Sequence, residues 1–133
     1  RATLAQRHPL CRVVSVLEAR HQAELAGTMV ANTLHAFPDI RGIYNLAAGD
    51  QEIVRAVQHA KTTERVIIIT HELTPDRRRL LKDGALDAVI DQNPEHEAMA
   101  AVRAMANHLG RMTKEDSEAT RTEIRIFMRE NCL

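Results

Sequence analysis

Aromatic side chains are nearly missing from this sequence: there is no tryptophan, one tyrosine and two phenylalanines. Any core must therefore be aliphatic, and there is no aromatic platform on which nucleic-acid bases could stack. An excess of charge is missing too, since 18 basic and 18 acidic side chains balance over 133 residues. Net charge thus announces neither a nucleic acid nor a membrane surface as partner, and the length suits one domain. Cysteine is scarce: Cys11 and Cys132 sit at opposite ends with no CxxC spacing. That supports neither a disulfide framework nor a zinc site and reads as two free cytosolic thiols. No apolar run approaches the ~20 residues of a membrane-spanning helix. The opening Arg1-Ala2-Thr3 has neither an initiator methionine nor a signal-peptide core, so a piece of a longer protein is expected.

What is present centres on Arg65-Val66-Ile67-Ile68-Ile69-Thr70-His71-Glu72-Leu73-Thr74-Pro75. Residues 66–69 form an unbroken β-branched run, too short for a helix and without alternation, which predicts a strand buried on both faces of a parallel sheet. The chain then turns polar, and Thr74-Pro75-Asp76 opens a helix with a capping threonine, a proline at the first position and an acid in the first turn. Strands that end in polar groups beside a helix start are where open α/β sheets bind ligands.

Elsewhere the pattern alternates in the same way. Residues 1–8 read as the polar tail of a helix stopped by Pro9. A first strand is predicted over 13–17, ending in Glu18, Arg20 and His21. Ala26, Met29, Val30, Thr33, Leu34 and Phe37 recur at three and four, which predicts an amphipathic helix over 21–37. A strand over 42–46 follows, then a helix capped by Asp50 with Ile53, Val54, Val57 and Ala60 inward. A short helix over 77–83 is closed by Gly84 in a left-handed cap, and residues 88–90 supply the next strand. Asn93 and Pro94 start a long helix with Ala98, Val102, Met105 and Leu109 on one side, stopped by Gly110. Residues 114–120 read as a charged loop, and 122–128 as a half-covered edge strand carrying Ile124, Ile126 and Met128. Strands alternating with helices over short connections predict an α/β fold, a parallel sheet with flanking helices.

Parallel strands point one way, so the groups just past each strand must gather on one edge. The rim so formed holds Glu18, Arg20 and His21, then Asn45, then His71 and Glu72, then Asp91, Gln92 and Asn93. Helix capping is the simplest role for Asp50, Thr74 and Asn93, whereas Asn45, Glu72 and Gln92 are not placed as first-choice caps and are ligand candidates. Sharper chemistries fail against this rim. His71-Glu72 opens like HExxH, but the fifth place is Pro75. Ala47-Ala48-Gly49-Asp50 is neither GxGxxG nor a P-loop, and there is no Gly-x-Ser-x-Gly elbow. A metal set of His71, Glu72, Asp91 and His96 is weaker than the plain reading of scattered surface histidines. Arg77-Arg78-Arg79 is the wet face of a helix whose Leu80-Leu81 turn inward.

Three segments taken in order carry a family resemblance. They are Phe37-Pro38-Asp39-Ile40-Arg41-Gly42-Ile43-Tyr44-Asn45, the stretch from Val66 to Pro75, and Leu81-Lys82-Asp83-Gly84-Ala85-Leu86-Asp87-Ala88-Val89-Ile90-Asp91-Gln92-Asn93-Pro94. Together they resemble the second half of a type I periplasmic-binding-protein fold, and in particular the effector-sensing domain of lac-repressor-family (LacI-type) transcription regulators. The resemblance implies that residues 1–133 are the carboxyl-terminal part of a lobe that closes with another on a small polar ligand, a sugar or sugar derivative. Its ligand-contacting places fall on Asn45, Glu72 and Gln92, with His71 and Arg20 beside them; where Glu72 stands the family more often has an aspartate. It further implies that residues 93–118 are a hinge and a helix that packs on the first lobe, and that 121–130 form a terminal strand.

The function expected on these grounds is that of the sensing lobe of a cytoplasmic, homodimeric regulator without catalysis, cofactor or metal, reaching DNA only through a helix-turn-helix not found in this chain. One rival is the same lobe of a periplasmic sugar-binding protein of an ABC transporter. A rival of another class is a small flavodoxin-like enzyme using His71 and Glu72 as acid and base.

Overall fold

A computed structural model describes residues 2–111 and 123–132. In chain order the elements are α1 (Ala2–Arg7), α2 (Ala23–Ala36), β1 (Gly42–Asn45), α3 (Asp50–His59), β2 (Ile67–His71), α4 (Pro75–Lys82), β3 (Ala88–Asp91), α5 (Pro94–His108) and β4 (Arg125–Phe127). The sheet runs β1-β2-β3-β4. β2 and β3 are parallel, with Ile69 opposite Ala88 and His71 opposite Ile90, while β4 runs antiparallel to β3 with Asp91 opposite Arg125. The fold is thus α/β, a mostly parallel sheet with flanking helices. The predicted loop over 114–120 and the start of the edge strand at Thr122 lie outside the described residues.

The chain divides into two compact units, one of Arg1–Ile43 with Ala47–Ile67, the other of Tyr44–Leu46 with Ile68–Leu133. In the first, α2 lies on α3. The three-and-four spacing puts Ala26, Val30 and Leu34 of α2 in the core, together with Ile53 and Val54 of α3. Gly27 makes the close approach possible, because a Cβ there would lie 2.7 Å from the Glu52 Cβ. In the second unit Leu81 of α4, Leu86 and Val89 of β3 are each no more than 2% exposed, a burial that stabilises by ~1.5–3 kcal/mol per side chain.

Five expectations need correction. Residues 13–17 form no strand; among the described residues no ladder pairs them, and Val16 is 64% exposed. β-branched residues favour strands by fitting a half-buried pleated surface, and this stretch has none to fit. β2 is buried on one face only: Val66, Ile68 and Thr70 are covered, whereas Ile67 is 40% exposed. Asp50 is the first helical residue and Gly49, in the left-handed region at φ 99°, takes the cap position. Asn93, at φ 52°, precedes α5 without a side-chain capping bond. Ile124, just before β4, and Ile126 within it are open to solvent, and Phe127 is the half-buried member. Thr74 does cap α4, its Oγ1 accepting from the Arg77 backbone N–H at 3.3 Å.

Candidate functional site

The second unit carries the carboxyl ends of β1, β2 and β3, and with them four of the five expected ligand residues. Asn45 closes β1, His71 closes β2, Glu72 follows it, and Gln92 follows β3. Adjacent parallel strands end level, so the arrangement follows from register: His71 is opposite Ile90, which leaves Glu72 and Gln92 on neighbouring chain ends. Arg20, the fifth, belongs to the other unit. It sits exposed in a left-handed pair with His21, at φ 49° and 61°.

Glu72 is held by its backbone. It is itself left-handed, at φ 63°, a conformation in which a side chain other than glycine, asparagine or aspartate is uncommon. Its N–H donates to the Ile90 carbonyl at 2.9 Å, and its own carbonyl accepts from the Thr74 N–H at 3.0 Å. The next residue is tied down as well, the Leu73 N–H donating to Asp91 Oδ1 at 3.0 Å. Asp91 therefore spends an oxygen on shaping the loop. The Glu72 carboxylate stays 62% exposed, with Oε2 at 3.8 Å from the Arg77 guanidinium. A carboxylate presented this way accepts hydrogen bonds from two neighbouring hydroxyls at once, which is what a sugar offers.

Two neighbours escape a reading of the sequence. The Tyr44 hydroxyl hydrogen-bonds His71 Nε2, and the two rings meet edge to face with centroids 5.2 Å apart. Tyr44 is 56% exposed, so the pair forms a wet, hydrogen-bonding surface at the ends of β1 and β2. The available signal was the lone tyrosine directly before a candidate residue at a strand end. Arg77 is not on the wet face expected of it: its side chain is 13% exposed, against 70% for Arg79. A cation in the first turn of a helix opposes the macrodipole, and that mismatch was its signal. Among the described residues no group of three or more His, Cys, Asp or Glu side chains is arranged to hold a metal ion, and no helix is long and apolar enough to cross a membrane.

The sheet topology is that of part of a type I periplasmic-binding-protein fold, with polar residues at its strand ends. The chain belongs to the periplasmic binding protein domain family, which it matches over residues 1–112. Among solved structures it is similar to AraP, an arabinose binding protein from Geobacillus stearothermophilus, with 22% identity and a TM-score of 0.78 over 98% of this chain and 48% of that one. GanP, a glucose-galactose binding protein from the same organism, gives 20% identity and a TM-score of 0.79 over 97% of this chain and 46% of that one. A carbohydrate transporter solute binding protein from Agrobacterium radiobacter, in complex with D-arabinose, gives 21% identity and a TM-score of 0.76 over 98% of this chain and 44% of that one. The chain spans less than half the length of each of these proteins. No curated protein matches it in sequence.

Proposed function

We propose that this chain is a sugar-binding lobe, non-catalytic, in which Glu72, Asn45 and Gln92 receive hydroxyl groups and the Tyr44–His71 pair borders them. The observation that carries the reading is the exposed Glu72 carboxylate on a loop that backbone bonds hold beside β3. Three relatives in fold are named for sugars or carbohydrate transport, which supports the ligand class. They also favour one whole protein over another: the lobe serves a solute-binding protein of an ABC transporter, working outside the cytoplasm. The second reading, the sensing lobe of a LacI-type regulator, cytoplasmic, dimeric and DNA-binding through another segment, is favoured by the ordered run of three segments ending in Asp91-Gln92-Asn93-Pro94. The gene sequence upstream of Arg1 separates them. A signal peptide there sinks the regulator, and a helix-turn-helix sinks the transporter component.

The sugar reading itself is tested by titration calorimetry of the full-length protein with D-arabinose, D-glucose, D-galactose and D-fucose. A hydrogen bond to a charged group contributes ~1.5–3 kcal/mol, so Glu72→Gln should weaken binding by roughly one to two powers of ten. Asn45→Ala and Gln92→Ala, which remove neutral bonds, should cost less. Affinity unchanged by Glu72→Gln would remove the centre of this site.

A further inference from the structure

We propose that Arg77 is a positioning residue for Glu72: it holds the left-handed loop after β2 and thereby aims the carboxylate. For what Glu72 binds, the inference rests on the sugar-binding reading above; for what Arg77 does, it rests on geometry alone. Arg77 occupies the third position of α4, where its backbone N–H is taken by the Thr74 cap. A guanidinium there meets the positive end of the helix, and this one is also largely withdrawn from water at 13% exposure. Both circumstances are unfavourable for a cation, so something must offset them. The guanidinium donates from Nη1 to the Glu72 carbonyl at 3.2 Å, and the same nitrogen lies 3.8 Å from the Glu72 carboxylate. One side chain thus grips both the backbone and the acid of a residue at φ 63°.

The Glu72 carbonyl already accepts from the Thr74 N–H, so Arg77 supplies its second donor and uses the remaining lone pair. Both contacts come from the one nitrogen Nη1, so a lysine ammonium of the right reach can keep part of the grip, whereas an uncharged side chain keeps none. Without Arg77 the loop would rest on its two backbone bonds alone, these would open more often, and the carboxylate would sample a wider range of directions. Because the ion pair is open to solvent on the Glu72 side, its attraction alone contributes little; the consequence lies in orientation.

Amide hydrogen exchange on this chain reads the proposal directly. Arg77→Met should speed exchange of the Glu72 and Thr74 amides about tenfold, with the Leu81 and Val89 amides unchanged, since local opening is independent of the core. Arg77→Lys, the milder change if the methionine variant does not fold, should accelerate the same two amides to a smaller extent. Unchanged protection of Glu72 and Thr74, or acceleration spread evenly over the unit, overturns the proposal. Calorimetry of the full-length protein with the same four sugars adds a readout that a merely structural role would not move. Arg77→Met should weaken binding about tenfold with Glu72 present and have little effect on a Glu72→Gln background, as expected of residues that act as one. Equal losses on both backgrounds overturn the inference. If none of the four sugars binds while exchange responds as stated, the sugar reading fails and the positioning role stands.

Discussion

Thr70 is fully buried in β2, and its hydroxyl has no hydrogen-bond partner among the described residues. A buried hydroxyl without a partner costs ~1–3 kcal/mol of desolvation. Thr70→Val keeps the β-branched shape and removes that cost, so it should stabilise the unit by ~1 kcal/mol, within the range usual for such repairs. Urea denaturation followed by circular dichroism measures this, and a lower midpoint for the valine variant would mean that the hydroxyl has a role in the fold. Two positions further on, the opposite circumstance holds. Glu72 is in an uncommon backbone conformation and is well bonded through its main chain, so its strain sits at the place where a ligand is proposed to bind, as strain often does. That strain was not legible in the sequence, because glutamate is no left-handed former and nothing about the string Thr70-His71-Glu72-Leu73 signals a positive φ. The identity of the strand-end residues was legible, because an aliphatic run that stops at a polar group marks its own end.

At the scale of elements, the contact between α2 and α3 is set by Gly27. Replacing a helical glycine by alanine ordinarily stabilises by ~0.8–1.0 kcal/mol. Here the added Cβ would lie 2.7 Å from the Glu52 Cβ and 3.1 Å from its carbonyl oxygen, so the helices must part, at a cost of ~1–3 kcal/mol. Gly27→Ala should therefore lower the thermal midpoint, and calorimetric scanning showing a raised one would mean the pair separates freely. The apolar face of α2 could be read from spacing, since Ala26, Val30 and Leu34 do enter the core. That Gly27 rather than a larger side chain makes the crossing could not, for it depends on which face of α3 arrives. The same limit explains residues 13–17: composition predicts a strand, but a strand exists only where another offers a ladder. It also explains Asp50, which a rule of caps favours, whereas the turn before α3 needs a positive φ that Gly49 supplies. Thr74 met its expectation because a cap is local and needs no partner element.

At the scale of the whole molecule, the surface of α5 matters most. Val102, Met105 and Leu109 are 61%, 63% and 59% exposed and form an apolar stripe at helical spacing. Under the two-lobed reading its cover is a first lobe; in this chain alone another copy can serve. The chain should sediment as a dimer or larger at high micromolar concentration, and Val102→Glu with Met105→Glu should return it to monomer. A clean monomer of the unsubstituted chain would show the stripe to be harmless. Ahead of β3, finally, Asp87 mimics a rung of the ladder: its Oδ2 accepts from the Ile68 N–H at 2.8 Å and its own N–H donates to the Ile68 carbonyl at 2.9 Å. This clasp joins residues 19 apart in sequence. It also selects one alignment, since a slip of one residue would turn Val89 outward and swing Asp91 away from Leu73. The loop that aims Glu72 thus depends on a register fixed by a carboxylate at the far end of the neighbouring strand, one that no ligand would touch.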